Sequence, residues 1–430
     1  MDSNTAPAKT MPEPGELFAA FGRIGILSFG GPAAQIALMH RVLVDEKGWL
    51  SERQFLNALS FCMLLPGPEA MQLATYAGWR LRGMSGGLMA GLLFVLPGAA
   101  VMLLLAGLYA HFGSLPLMAA LFLGIKAAVV IIVIEALLKV GKKALHTASH
   151  WVIAGLAFTG IFFLNLPFPL IILIAALYGF VRGTSHGEPE ATDASRHRSF
   201  PKTLLLIGLW LVIWWGPVLA VDTLSNQPIL TEIALFFSKL AVVTFGGAYA
   251  VLAYMAQDVV VSFGWLNAGE MMDGLGLAET TPGPLILVTE FVGFLAAFYE
   301  GGIALGIAGA ALTLWVTFVP CFLWIFAGAP YIDWISNQPR LAGALNCITA
   351  AVVGVILNLS LWFALHVFFT EVSLREIGPL TLWQPELASF DGRVLVLAAI
   401  AAFLLLYRKW QITPVLLVAA AGGVILSYSF

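Results

Sequence analysis

Two clusters place Gly and Pro among hydroxyl, amide and charged side chains inside otherwise apolar runs: Ser28-Phe29-Gly30-Gly31-Pro32, and Pro66-Gly67-Pro68-Glu69 followed by Gln72 and Thr75. Gly and Pro weaken or break a helix, freeing backbone amides and carbonyls. Lipid cannot satisfy those groups, so a break at membrane depth must be buried in protein or line a wet cavity. A helix restarting after the break aims its first amides and its positive dipole end at the gap, which suits an anion. Hydroxyls can donate to oxyanion oxygens. The implied chemistry is binding rather than covalent. The sequence carries no haem-ligand pair, flavin motif or nucleophile constellation, and no GxxxxGK[ST] loop for ATP. Neither an enzyme nor a cofactor is expected.

Both clusters recur. Glu16 through Gly31 is matched by Glu232 through Gly247, with Phe29 and Phe245 standing 216 positions apart (245 − 29), and Pro66-Gly67-Pro68 is matched by Pro282-Gly283-Pro284 at the same spacing. Trp49/Trp265 keep the register, and Gly87/Gly302 and Gly91/Gly306 continue it after a one-residue shift. Four breaks at matched positions point to a binding site made of Ser28, Gly30, Gly31, Pro66, Gly67, Pro68 and Gln72 from one copy. The other copy supplies Thr244, Gly246, Gly247, Thr281, Pro282, Gly283 and Pro284. Arg23 and Lys239 occupy matched positions one to two turns before the Gly-Gly pairs, where they could help hold a dianion; the alternative is snorkelling or pairing with Glu16 and Glu232. The hydroxyls could equally bond back to helix carbonyls.

Ionisable residues inside membrane spans default to function. Glu69, directly after the first Pro-Gly-Pro, and Glu290, eight residues after Pro282, are the candidates for proton coupling, because burial favours the protonated form of a carboxyl group. Glu279, Lys126 and Glu135 are further intramembrane candidates. Leu285 stands where the first motif has Glu69, so the site cannot be chemically symmetric. His146 and His150 have the spacing of a metal pair, but no nearby ligand completes it and no metal is expected.

The elements that position these residues follow from composition. Of 430 residues, 60% are hydrophobic and 10% charged, far from the quarter charged that is usual in soluble domains. Apolar runs such as Gly86 to Ala110 reach the roughly 20 residues a spanning helix needs, and none alternates as a barrel strand would. The expected fold is an all-α polytopic membrane protein. Helices are expected near 17–40, 55–79, 86–110, 117–138, 151–165 and 168–181, then a linker at 203–221. A second set follows near 232–256, 274–299, 302–328, 341–369, 392–407 and 411–429, about 13 in all. This divides the chain into a polar tail (1–16), a first repeat (17–182), a polar loop (183–202), the linker helix (203–221) and a second repeat (232–430). The tail suggests no cleaved signal, so insertion starts with the first span. Arg80, Arg82, Lys139, Lys142, Lys143, Arg182, Arg196, Arg198, Lys202, Arg408 and Lys409 then share one side, which the positive-inside rule makes cytoplasmic. The odd linker inverts the second repeat, the pattern of secondary transporters. Against this topology, 257–273 would lie in the cytoplasm with acids and no Lys or Arg.

Phe-Gly-Gly-Pro-Ala at 29–33, Met-His-Arg at 39–41, Gly-Trp-Leu-Ser-Glu-Arg at 48–53 and Leu-Leu-Pro-Gly-Pro-Glu-Ala at 64–70 resemble the chromate ion transporter family. Phe-Gly-Gly-Ala-Tyr and Thr-Thr-Pro-Gly-Pro in the second half resemble its C-terminal domain, so the likeness covers the long, two-domain form. It implies a multi-pass protein of the bacterial cytoplasmic (inner) membrane that exports chromate using the proton motive force. It also implies importance for Arg23, Gly30, Gly31, Pro66, Gly67, Pro68 and Glu69. Chromate and sulfate are both tetrahedral dianions, so a sulfate or other oxyanion permease and a passive anion channel remain alternatives. The expected partners are chromate or sulfate and the lipid bilayer, with a homodimer as candidate assembly and no nucleic acid.

Overall fold

The computed structural model describes residues 11–183, 200–245, 248–332, 338–378 and 380–429. The expected polar loop at 184–199, most of the polar tail and the pair Gly246-Gly247 lie outside the described residues.

The first half forms α1 (Pro14–Leu27), α2 (Gly31–His40), α3 (Glu52–Cys62), α4 (Glu69–Phe112), α5 (Pro116–Ala144), α6 (Ala148–Phe162) and α7 (Phe168–Arg182). After α8 (Phe200–Leu224) come α9 (Pro228–Val243), α10 (Ala248–Gln257), α11 (Ala268–Thr280), α12 (Val288–Gly328), α13 (Pro339–Phe368), α14 (Gly392–Ala402) and α15 (Ile412–Ser429). Six described runs are long and apolar enough to cross a bilayer: Glu69–Phe112, Pro116–Ala144, Pro201–Leu224, Leu285–Tyr331, Pro339–Phe368 and Ile412–Ser429. The chain is an all-α polytopic membrane protein.

The windows expected as single spans at 17–40 and 232–256 are instead pairs of short helices that reverse at the break. Arg23 of α1 meets Glu46, beyond α2, at 2.9 Å, although an unbroken helix would hold those positions roughly 34 Å apart at 1.5 Å per residue. Likewise Lys239 of α9 lies over the Tyr254 ring of α10, 5.4 Å from its centroid. The cause is the one that marks the sequence: Gly-Gly and Pro-Gly-Pro interrupt the hydrogen-bond ladder, and nothing holds the next helix collinear.

The windows 55–79 and 274–299 also divide, into α3 and α11 plus the first arms of α4 and α12. Those two long helices are themselves hairpins. α4 bends at Arg82 (φ −142°) and Gly83 (φ 65°), and α12 at Gly301 (φ −151°) and Gly302 (φ 73°). The positive φ is the reason a glycine stands at each second position. Beyond the bends the arms run back on each other so closely that a Cβ on Gly78 would lie 2.2 Å from the Gly86 carbonyl oxygen, and one on Gly309 would lie 2.4 Å from that of Gly293. Gly83 and Gly302 are thus counterparts, 219 apart (302 − 83), which replaces the expected match of Gly87 with Gly302. A 3₁₀ turn, Leu285–Leu287, inserted between Pro284 and α12 accounts for the change of register.

The two ends of the molecule differ. At one, Arg82 donates to the Pro12 carbonyl at 2.9 Å, and the end of α7 abuts the start of α13, where a Cβ on Gly183 would meet Arg340 Cα at 2.9 Å. At the other, Gln257 donates to Asn165 at 2.5 Å. There too a β-hairpin, β1 (Val372–Ile377) with β2 (Leu380–Pro385), donates from the Thr381 amide to the Phe163 carbonyl at 2.8 Å. The acidic segment 257–273 therefore begins at the end away from Arg82 and Arg182, contrary to expectation, because the reversal within 232–256 returns the chain to the end from which it entered.

Candidate functional site

The four breaks converge. The Gly67 amide of the first Pro-Gly-Pro donates to the Thr244 carbonyl before the second Gly-Gly, and the Gly283 amide of the second Pro-Gly-Pro donates to the Ser28 carbonyl before the first, each at 2.8 Å. Each half's Pro-Gly-Pro is thereby hydrogen-bonded to the other half's Gly-Gly segment. Gln35 Nε2 adds a third crossing bond, donating to the Gly283 carbonyl at 2.6 Å, and also donates to the Ser28 carbonyl of its own half at 3.4 Å. Gln72 Nε2 donates to the Pro66 carbonyl at 2.7 Å. The remaining amide oxygens of Gln35 and Gln72 are buried and have no partner among the described residues.

A small cavity sits at this meeting point. Pro32 and Gln35 line it from α2, Pro68 and Glu69 from the start of α4, Ala248 from the start of α10, and Leu285 and Ile286 from the turn entering α12. Helix starts from all four breaks thus face one space. Several helix starts have no side-chain cap, those of α5, α7, α9 and α13 among them; what distinguishes the starts at the breaks is the cavity they share. α3 and α11 carry full capping boxes, Ser51 with Gln54 and Asn267 with Glu270, whereas the starts of α2, α4 and α12 have no side-chain cap. First-turn amides have no intrahelical partner, so uncapped starts turned to a common cavity leave donors and positive dipole ends for an anion.

The other expected site residues divide into two groups. Ser28, Thr244 and Thr281 are buried, and their hydroxyls donate to the carbonyls of Ile24, Leu240 and Leu277 at 2.6, 2.5 and 2.8 Å; the back-bonding alternative holds for all three. Gly30, Gly31, Pro66, Gly67, Pro68, Pro282, Gly283 and Pro284 form the breaks themselves, and Gln72 packs against them. Arg23 and Lys239 are exposed and do not line the cavity. Arg23 pairs with Glu46 rather than Glu16, and Lys239 lines a separate polar cleft with Asn165, Gln257 and Asp258 at the end that holds the β-hairpin.

Glu69 is the first residue of α4 and Glu290 lies in the first turn of α12. Both carboxyls therefore sit at helix starts, a correspondence hidden in the sequence by the three-residue turn. Glu290 is 1% exposed, and its Oε2 has no partner among the described residues. Gln35 was missed by sequence reasoning; its signal was an amide side chain four positions after Gly31 in a short apolar helix. Tyr249 and Asp273 were also missed. Tyr249 donates to Glu279 at 2.8 Å, and Asp273 pairs with Lys126 at 3.3 Å and accepts from Tyr109 at 2.8 Å.

A multi-pass membrane protein whose interrupted helices turn uncapped ends toward a shared interior cavity has the build of a transporter. The family model for chromate transporters matches residues 15–180 and 231–426, and the chain belongs to that family, whose members are transporters and not enzymes. It is 32% identical over 345 residues to a probable chromate transport protein of Synechococcus elongatus (79% of this chain, 82% of that protein). It is 30% identical over 421 residues to a chromate transport protein of Pseudomonas aeruginosa (95% and 91%), and 30% identical over 355 residues to one of Cupriavidus metallidurans (82% and 82%). No solved structure matches the chain.

Proposed function

We propose that this protein carries chromate out of the cytoplasm across a bacterial inner membrane, as a secondary transporter of two inverted halves driven by the proton motive force. The observation that carries the reading is the convergence of chain segments next to all four breaks on one cavity, held by reciprocal backbone bonds between the halves. Family membership supplies the cargo. The opposite openings of the two sets of short helices support inversion, and the basic end with Arg82 and Arg182 is read as cytoplasmic.

The energetics suit export. A dianion leaving an interior 100 mV negative gains about 4.6 kcal/mol, from about 2.3 kcal/mol per charge. Backbone donors arranged around a cavity select charge and tetrahedral shape, so discrimination against sulfate rests on fit and hydration. Glu69 couples protons: ionised, it repels an anion in the same cavity, and protonated, it admits one and can donate to it. Glu290 serves the second half in the same way. The 13-helix scheme becomes one in which the short paired helices enter and leave from one face while the long arms cross.

Uptake of labelled chromate and sulfate into inside-out vesicles, with and without an imposed proton gradient, tests this. Gradient-dependent chromate accumulation weakly competed by sulfate is expected. Sulfate preference would transfer the reading to a sulfate permease, and gradient-independent equilibration to a channel.

A further inference from the structure

Glu279 is not needed to build the cavity, yet it joins two of the breaks. It is the penultimate residue of α11, three positions before Pro282, and its Oε1 accepts from the hydroxyl of Tyr249, the second residue of α10. The side chain thus bridges the helix leading into the second Pro-Gly-Pro and the helix leaving the second Gly-Gly. Glu279 is 5% exposed, and its other oxygen, Oε2, is buried with no hydrogen-bond partner among the described residues. A carboxyl with one oxygen left over is built to change protonation state.

Its surroundings supply a route for the proton. α5 packs beside α11 and carries Glu135 and Lys139, which pair with each other at 2.7 Å. On α11 itself, Glu270 accepts from Tyr299 at 2.7 Å near the helix start, and Asp273 is held by Lys126 and Tyr109. Asp273 to Glu279 spans about 9 Å along the axis at 1.5 Å per residue. Ionisable groups therefore follow the α5–α11 seam from the start of α11 to the breaks. Of the other elements packed on α11, α12 carries Glu290 and Glu300. α4 holds Glu69, Arg80, Arg82 and His111, α13 holds Arg340 and His366 near its ends, and α15 has no Asp, Glu, Lys, Arg or His.

We infer that the proton travelling with the oxyanion is shared between Glu69 at the cavity, Glu290 in the first turn of α12 and Glu279 behind the cavity. The inference rests on the proton-coupled transport proposed above. An ionised Glu279 places a negative charge behind the helix starts that face the cavity, and protonating it removes that charge, so proton and anion bind together. The proton passes along the seam to Glu279 carboxylate, giving the neutral acid, and leaves by the same atoms when the anion departs. A dianion accompanied by one proton carries one net negative charge, so the electrical part of the proton motive force, negative inside, drives its exit, while a pH difference alkaline inside opposes the outward proton.

The test uses the purified full chain in proteoliposomes at zero membrane potential, reading chromate flux driven by a pH gradient and chromate/chromate counterflow at equal pH. For Glu279→Gln the gradient response is expected to fall at least tenfold while counterflow stays within twofold of wild type. A retained gradient response overturns the inference, as does loss of counterflow in a monodisperse Glu279→Gln protein, which would make the residue structural. If that variant does not fold, Tyr249→Phe, which keeps the ring and removes the hydrogen bond, is expected to displace the pH dependence of gradient-driven flux, and an unchanged profile overturns the inference. A wild-type flux indifferent to the pH gradient would instead sink proton coupling itself, a result distinguishable from failure at Glu279 alone.

Discussion

The two halves agree in backbone and disagree in side chains at the place where they meet. Gly67 with Thr244 and Gly283 with Ser28 make the same crossing bond at the same 2.8 Å. The amides that reinforce the breaks, Gln35 and Gln72, both come from the first half; Val251 stands at the position matching Gln35, and Phe291 is the fourth residue of α12 as Gln72 is of α4. The second half contributes Glu279, Tyr249 and Glu290 instead. Residues 281–297 are buried without exception, whereas 63–69 range from exposed to buried. Repeated backbone interruptions can be kept for geometry while the side chains behind them divide the work, the first half supplying the amides that hold the junction and the second adding buried protonatable groups to Glu69.

The sharpest way to break this comparison is Gly98→Ala. A Cβ there would lie 2.0 Å from the Pro282 carbonyl oxygen, driving the second arm of α4 against the other half's break. The corresponding position in α12, by the register of the bends, is Thr317 (317 − 98 = 219), which already carries a side chain. Gly98→Ala is expected to reduce chromate flux at least tenfold and to destabilise by about 1–3 kcal/mol, the usual range for overpacking, while Thr317→Ala leaves flux nearly unchanged. Vesicle transport and thermal melting check both.

Next in size is Gln35→Leu, which strips the Gly283 carbonyl of its crossing bond and is expected to destabilise by about 1–3 kcal/mol. Gln72→Leu breaks a bond confined to its own half, so its effect on flux should be the smaller of the two. The reverse order would mean that the crossing bond does not hold the halves together.

Arg23→Ala removes an exposed ion pair and should change stability by less than about 1 kcal/mol. With the guanidinium outside the cavity, its contribution and that of Lys239 are expected as two- to fivefold increases in the half-saturating chromate concentration, on the order of a surface charge steering an anion. A collapse of maximal flux in either variant would return these charges to the cavity.

The smallest expected effect lies outside the membrane-spanning runs. His40 contacts Glu52 at 2.6 Å, and that hydrogen bond chiefly raises its proton affinity above the ordinary value, with Asp45 adding to it. A raised folded value means the stabilisation is fully present below about pH 6.5, the unfolded value, and fades as pH rises through the folded one. The melting difference between wild type and His40→Gln should therefore be larger at pH 5.5 than at pH 8. The matching position in the second half is Ala256, where a substitution should show no such dependence.

The membrane class, the repeat and the four breaks were legible because each is local: apolar length, motif identity and the chain-breaking chemistry of Gly and Pro belong to the residues themselves. Family resemblance came from the same short motifs. The reversals within 17–40 and 232–256 were not legible, since a break shows that a helix stops and says nothing of where the next one goes. Nor was the bend at Arg82-Gly83, which lies in a glycine-rich run that also suits helix packing. Arg23 and Lys239 were placed beside the breaks on sequence distance, but the reversals gave Arg23 to Glu46 and turned Lys239 toward Tyr254.

By itself the sequence determined that this chain lives in a bilayer, that it contains two related halves, and that each half interrupts its helices twice with anion-suited motifs. Only the tertiary structure decided which break faces which, that Gln35 crosses between the halves, and that Glu279 rather than a matched residue of the first half stands behind the cavity. The physical reason is that helix ends are specified by neighbours in sequence, while the partners of the freed amides of Gly67 and Gly283 lie 177 (244 − 67) and 255 (283 − 28) residues away and are chosen by packing.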